Sequence, residues 1–405
     1  MQAVDDFILI KSLGKGNFGH VFLTQRRGRP EYYATKKMDR AICEKPINIK
    51  RLSYEISIIR ALNHPNIVKF VDLKRTRNHW YLITEYLNGG SLLNNLEKYI
   101  SIHHKPFPEE IIQHIMRQIV NALYYLHFNK IIHRDLKLEN LLLNYPTEYD
   151  KNSQNLMNAT VKIIDFGFAT ILSKQFTDTI LGTLPNMDPK LLEVIKTGAP
   201  ITGYNESVDI WSLGTLCYEM TVGHLTFNGQ NLNQLYENVK KGTYYLPMTL
   251  SKELVSFING MLQQDSNKRL TAKQLLNHDF LRKHPSQFQP IDLKDIPGSI
   301  GPGGVINMKS ISDNQNQIND NYYQFWNIFC QPDIYSTIGT QGQVNNQPVM
   351  NPSPPQQQQQ YTYNTYSTIP QSTQPLKPAN APQIPYNTKT QPVTNYAYGN
   401  FQNYQ

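Results

Sequence analysis

Cysteine is scarce in this chain: Cys43, Cys217 and Cys330 are its only three in 405 residues. Their wide spacing supports neither a disulfide framework nor a cysteine-rich zinc site, so a reducing compartment is the expectation. Long apolar runs are missing too. No stretch of about 18 apolar residues occurs, which excludes an apolar membrane-spanning helix of the ordinary kind. The opening "MQAVDDFILIK" lacks the basic segment and apolar run of a leader peptide. Together these absences predict a cytoplasmic protein. Charge is thin at 17% of residues, and after Ile296 it is confined to Lys309, Lys377 and Lys389 against Asp313, Asp320 and Asp333. All of the formal net charge of +8 therefore lies earlier. A basic globular part suits nucleic acid or an anionic membrane surface. No nucleic-acid motif accompanies the charge, however, and a solvated basic face accounts for it.

What is present divides the chain near Pro285. Residues 7–282 carry mixed apolar periodicities with short turns, which predicts a folded domain. Residues 283–405 are rich in Gln, Asn, Pro, Tyr, Ser and Thr, as in "PSPPQQQQQYTY". Such a composition buries too little apolar surface to offset its ordering entropy, so disorder is expected there. Within the folded part, "ILIKSLGKGNFGHVFLTQ" and "EYYATKKM" alternate as a hairpin and a third strand. "RLSYEISIIRAL" places Leu52, Ile56 and Ile59 at helical spacing. "IVKFVDLKRT" and "HWYLITEYL" read as two further strands, and from Glu109 the pattern is mostly helical, with "EEIIQHIMRQIVNALYYLH" strongly amphipathic. The prediction is a small sheet-rich lobe, a larger helical lobe, and a ligand cleft between them.

Four motifs carry chemistry. "GKGNFGHV" sets Gly14, Gly16 and Gly19 in a turn where bare backbone can approach phosphates. A dinucleotide site would need a helix after that turn, and here a strand follows. In "YATK", Ala34 and Lys36 share one strand face with Val21 of the neighbouring strand. Glu55 lies on the apolar face of the predicted helix and needs a partner, for which Lys36 is the candidate. "IIHRDLKLENLLL" at residues 131–143 sets a dense polar connector between two apolar blocks, and "VKIIDFGFA" is a strand ending at Asp165 and Gly167. Each motif alone has an ordinary reading: a hairpin turn, a solvated Lys, a helix cap. Phosphoryl transfer needs a carboxylate at the nucleophile, a cation at the transferring group and oxygen ligands for a metal, and Asp135, Lys137, Asn140 and Asp165 supply these in order.

Over about two-thirds of the chain, these motifs resemble a eukaryotic protein kinase domain. The resemblance implies an α+β bilobal fold and the cofactors ATP and Mg2+. It implies ATP contacts from Leu13, Gly14, Lys15, Gly16, Asn17, Phe18 and Gly19, with Val21, Ala34 and Leu142 around adenine and backbone groups of Glu85 and Leu87 at the hinge. Thr84 would limit the back pocket. Lys36 would pair with Glu55, Asp135 would be the catalytic base, Lys137 would sit at the γ-phosphate, and Asn140 and Asp165 would hold the metal. Ile59, His133, Phe166 and Asp209 would tie the lobes together, and "SVDIWSLGTLCYEM" would be the central helix. "DLKLEN" resembles Ser/Thr kinases. Arg134 would receive a phosphate from the activation loop, where Thr177, Thr179 and Thr183 are the regulatory candidates.

Two departures stand out. Lys190 replaces a Glu that family members pair with an Arg at the position of Arg269. Either the helical lobe is weakened or another carboxylate takes the role, and Glu193, one turn on, is the expected substitute. The second is "NYPTEYDKNSQNLMNA", which reads as an extended hairpin loop. This insert, "DFGFA", "EYLNGGSL" and the placing of Thr179 are similar to autophagy-initiating ULK-type kinases. "HRDLKLEN" also resembles calcium/calmodulin-kinase-like and energy-sensing kinases, and no helical partner-binding region of the ULK type is evident. In the tail, "FWNI" and two copies of "YSTI" match peptides that add a strand to ubiquitin-like adaptor proteins, a pattern short enough to arise by chance. Protein substrates are the expected partners. The competing readings are a catalytically silent kinase-fold scaffold and a self-associating Gln/Asn-rich assembly protein.

Overall fold

The computed structural model describes residues 3–16, 19–172, 181–200 and 203–282. Asn17, Phe18, Thr177, Thr179 and the tail motifs lie outside the described residues. The alternating segments pair into an antiparallel sheet of six strands: β1 (Ala3–Val4), β2 (Phe7–Gly16), β3 (Gly19–Arg26), β4 (Tyr32–Asp39), β5 (Phe70–Arg75) and β6 (His79–Glu85), ordered β1-β2-β3-β4-β6-β5. The register sets Val21 opposite Lys36, and Ala34 opposite both Leu23 and Thr84. Two helices separate β4 from β5. The first, α1 (Arg40–Cys43), is a single turn that escaped the sequence reading; Asp39 caps it by accepting from the Ala41 N–H. The second, α2 (Pro46–Ala61), starts several residues earlier than its periodicity indicated, with Pro at its first position. Its Leu52, Glu55, Ile56 and Ile59 are all buried.

The helical lobe begins with α3 (Leu92–His103) and α4 (Glu109–Phe128). Ile112, Ile115, Met116, Ile119, Leu123 and Leu126 recur on α4 every three or four residues, and all are fully buried. Short pairs follow: β7 (Ile131–Ile132) with β10 (Thr170–Ile171), and β8 (Leu141–Asn144) with β9 (Thr160–Ile163). Between β8 and β9 the structure corrects the expected hairpin loop. Residues there form α5 (Glu148–Ser153) and a 3-10 turn, Leu156–Asn158. Thr147 caps α5 through the Asp150 N–H, and the buried Asp150 carboxylate accepts from Asn158 Nδ2 at 2.7 Å. Satisfying that buried acid requires the compact turn.

The lobe is completed by α6 (Pro189–Thr197), α7 (Ser207–Val222), α8 (Leu232–Lys241), α9 (Lys252–Met261), α10 (Ala272–Leu276) and α11 (Asp279–Arg282). Helix α7 is buried along almost its whole length. At Gly214 a Cβ would stand 2.8 Å from Leu262 Cδ2, so only glycine permits this approach to the end of α9. Two ties join sheet to helices. Asn66 Nδ2 donates to Gln118 Oε1 on α4 and to the Val161 carbonyl on β9, each at 2.9 Å. After β6, the Gly89 N–H donates to Leu143 and the Leu143 N–H to Gly90. Both ties end on the β8–β9 pair, where Leu143 lies opposite Val161. Among the described residues, no helix is long and apolar enough to cross a membrane.

Candidate active site

The roof of the cleft is the β2–β3 hairpin. Gly14 faces Val21 and Gly16 faces Gly19 across it, with Lys15 opposite His20. At Gly14 an added Cβ would meet nothing within 4 Å, whereas at Gly19, with φ +156°, it would lie 2.0 Å from the Lys37 carbonyl oxygen. The turn is thus bare on one side and pressed against β4 on the other. Leu13 is exposed, and Val21 and Ala34 are half-buried. On the floor, Leu141 and Leu143 are fully buried while Leu142 alternates to the other face of β8 and is half-buried. The back edge is β6, where Thr84 Oγ1 donates to the Ala34 carbonyl. The Glu85 side chain points away to Lys162 Nζ at 2.7 Å and the Lys69 N–H, and Leu87 is buried.

Helix α2 and β4 bring Lys36 and Glu55 together as expected: Nζ to Oε1 is 3.1 Å, and Asp165 Oδ1 lies 3.6 Å from the same ammonium. Burial opposes the charge on Lys36, but Glu55 and Asp165 outweigh it and hold its pKa above the ordinary value. Burial also pushes Glu55 up, against the pull of Lys36. Lys36, by contrast, holds the Asp165 carboxyl below its usual range. Asp165 adopts φ +58°, a left-handed backbone that costs about 1–3 kcal/mol for such a residue. Its Oδ1 accepts from the Gly167 N–H at 3.2 Å.

Behind Asp165, Phe166 is fully buried with its ring 5.1 Å from that of His133. His133 Nε2 lies 3.1 Å from the Ile164 carbonyl oxygen, and its Nδ1 accepts from the Asp135 N–H. The His133 and Arg134 N–H groups donate to the two oxygens of Asp209 at 2.9 and 2.8 Å. Asp209 is wholly buried; burial alone would raise its pKa, yet His127 at 3.0 Å and these donors hold it low. That buried carboxylate fixes the turn in which Arg134 takes φ +70°. Arg134 in turn reaches the Phe168 carbonyl and Tyr204.

The connector then delivers its polar residues to one point. Asp135 Oδ2 is 2.9 Å from Lys137 Nζ and accepts from Asn140 Nδ2 at 2.9 Å. Asn140 Nδ2 also donates to the Asp135 carbonyl, so the amide nitrogen is used twice and its oxygen is left for a cation. The Thr183 hydroxyl donates to Asp135 Oδ1 at 2.6 Å and accepts from Lys137 Nζ at 2.8 Å. No motif had marked this contact.

The missing Glu is replaced, though not by Glu193. Asp188 Oδ2 pairs with Arg269 Nη1, and both side chains are buried. Arg269 also donates to the Ser207 and Gln263 carbonyls and stacks 5.0 Å from the Trp211 ring. Glu193 is exposed and accepts from Tyr236, and Lys190 is exposed with Nζ near Ser266 Oγ. An acid two residues ahead of Lys190 was the one available signal. Asp188 reaches inward because it caps α6, accepting from the Lys190 N–H.

A sheet-rich lobe over a helical lobe, with a lysine–carboxylate pair facing an Asp–Lys–Asn cluster, defines a protein kinase fold. Residues 7–281 match the protein kinase domain family, and the chain belongs to that family. It is similar to a "probable myosin light chain kinase" of Dictyostelium discoideum, 32% identical over 293 residues, covering 71% of this chain and 87% of that protein. Protein kinases use ATP with a divalent metal. The residues present fit both groups: Gly14 leaves open space for phosphates, and Asp165 and Asn140 offer two oxygen ligands. Among the described residues no group of three or more His, Cys, Asp or Glu converges, so phosphate oxygens and water would complete the metal's shell.

Proposed function

We propose that this protein kinase is a magnesium-dependent serine/threonine kinase. The observation that carries the reading is the cluster in which Asp135 meets Lys137, Asn140 and Thr183 while Lys36 holds Glu55 and Asp165. Bound Mg2+ would neutralise charge on the ATP phosphates. Asn140 and Asp165 would hold it, Lys36 would orient the phosphates, and Val21, Ala34 and Leu142 would enclose the base, with Glu85 and Leu87 offering backbone groups. Asp135 accepts the proton of a substrate hydroxyl as that oxygen bonds the γ-phosphorus and the bond to ADP breaks. Lys137 balances charge on the transferred group, and Thr183 positions Asp135 and Lys137. Thr177, Thr179 and Thr183 are the proposed regulatory phosphorylation sites.

"DLKLEN" and the name of the Dictyostelium relative support the choice of Ser/Thr over Tyr. An ULK-type role in autophagy initiation in the cytoplasm, with the tail binding a ubiquitin-like adaptor, rests on the motif likenesses alone. A domain spanning 7–282 is part of the same proposal. Asp188 removes the main ground for a silent scaffold, because the large lobe keeps its buried ion pair. The test is transfer from labelled ATP and Mg2+ to casein, myosin regulatory light chain and an autophagy adaptor, followed by phosphoamino-acid analysis. Phosphoserine or phosphothreonine supports the reading. Phosphotyrosine alone, or no transfer by folded, ATP-binding protein, overturns it.

A further inference from the structure

An open groove of about 810 Å3 lies on the helical lobe and shares no lining residue with the catalytic cluster. Its apolar lining comes from Leu246, Met248 and Leu250 ahead of α9, Val255 on α9, and Leu270 ahead of α10, interleaved with the polar Ser256, Asn259 and Gln263. Gly260 lets Leu270 pack directly on α9, since a Cβ there would stand 2.5 Å from Leu270 Cδ1. Met248 is 96% exposed at the rim, an apolar side chain left in water. The groove has a cation, Lys252, which no carboxylate meets among the described residues. One end is marked by His278, four residues before Arg282, the last residue of α11.

The chain therefore leaves the described fold beside this groove, and it continues "KHPSQFQPIDL". We propose that residues 288–293, "FQPIDL", dock there in extended form. Six residues from Arg282 to Phe288 span at most roughly 20 Å, enough to lead from the His278 end into the groove. Phe288, Ile291 and Leu293 supply apolar groups for the walls. Pro290 has no N–H to leave unsatisfied and favours an extended backbone. Asp292 is the first carboxylate after Arg282 and meets Lys252. Tethering gives an effective concentration on the order of millimolar, so individually weak contacts suffice. The docked segment covers Met248 and clasps α9 to α11.

The test uses the full chain with p-benzoyl-phenylalanine in place of Met248, irradiated and mapped by mass spectrometry. Crosslinks concentrated at residues 286–295 are expected. Crosslinks spread along the tail, to a second copy, or absent altogether would overturn the proposal. Hydrogen exchange on α9 supplies an independent reading. Docking of roughly nine-tenths of molecules slows exchange about tenfold relative to an Ile291→Asp, Leu293→Asp chain; equal rates would refute it. Lys252→Glu should speed exchange, and Asp292→Lys in that background should reverse the effect, with failure to reverse counting against the assigned register. None of these residues lies in the catalytic cluster, so phosphate transfer by the same variants separates this proposal from the kinase assignment.

Discussion

Removing the Asp188 carboxylate should destabilise the helical lobe far more than any change at Glu193 or Lys190. Asp188 and Arg269 are both buried, and Asp188→Ala would leave a guanidinium with the Ser207 and Gln263 carbonyls over Trp211 and, among the described residues, no carboxylate. Breaking one side of a buried pair costs about 3–5 kcal/mol. The lost α6 cap would cost about 1 kcal/mol more on its own, but both effects use one carboxylate and do not add fully. A total near 4 kcal/mol is a large share of the roughly 5–15 kcal/mol that stabilises a domain, and corresponds to about 10 °C in Tm. Asp188→Asn keeps the cap and loses the charge, so about 3 kcal/mol is expected. Glu193→Ala and Lys190→Glu alter exposed groups and should each change stability by less than about 1 kcal/mol. Urea unfolding of the four variants decides the matter. A loss below about 1 kcal/mol in Asp188→Ala, or a larger loss in Glu193→Ala, would refute the reasoning.

Acid should destabilise the fold through His64. Burial first, and the Lys162 charge second, lower its pKa to about 4, so an unfolded chain protonates near pH 6.5 while the folded chain refuses the proton. Stability thus falls as pH drops from about 6.5 to about 4, by roughly 3 kcal/mol from this group; His64→Asn should flatten that part of a pH-dependent unfolding series. Gly19→Ala should cost about 2 kcal/mol because the Lys37 carbonyl cannot retreat, whereas Gly14→Ala should spare stability and weaken ATP binding about tenfold, as thermal melts with and without nucleotide would reveal. Glu55→Gln removes the negative charge that Lys36 meets on α2; kcat should fall on the order of a hundredfold with a smaller change in KM for ATP.

Much of the catalytic cluster was legible because its members sit within one connector: Asp135, Lys137 and Asn140 are near in sequence, and the turn held by Asp209 turns their spacing into geometry. The Lys36–Glu55 pair was legible for another reason, since a carboxylate on an apolar helix face demands a cation. Asp188 was not legible in that way. Its partner lies 81 positions away, and choosing between Asp188 and Glu193 depends on which of them faces the core. The contact of Thr183 with Asp135 was not legible, because a hydroxyl in a loop carries no sign of what it touches. The insert was misjudged because a six-residue helix shows no period; the buried Asp150 and its Asn158 contact decide its shape. Likewise α1 is one turn held by a cap, below what periodicity detects.

The most direct test of the central claim compares the wild-type chain with Asp135→Asn for two properties at once, ATP affinity by titration and phosphate transfer to a protein substrate. Asp135 touches Lys137, Asn140 and Thr183 and, among the described residues, none of the glycine turn. Affinity should therefore hold within about threefold while transfer drops by a thousandfold or more, roughly 4 kcal/mol at the transition state. Transfer that survives in Asp135→Asn at anything near the wild-type rate would contradict the assignment of Asp135 as the base.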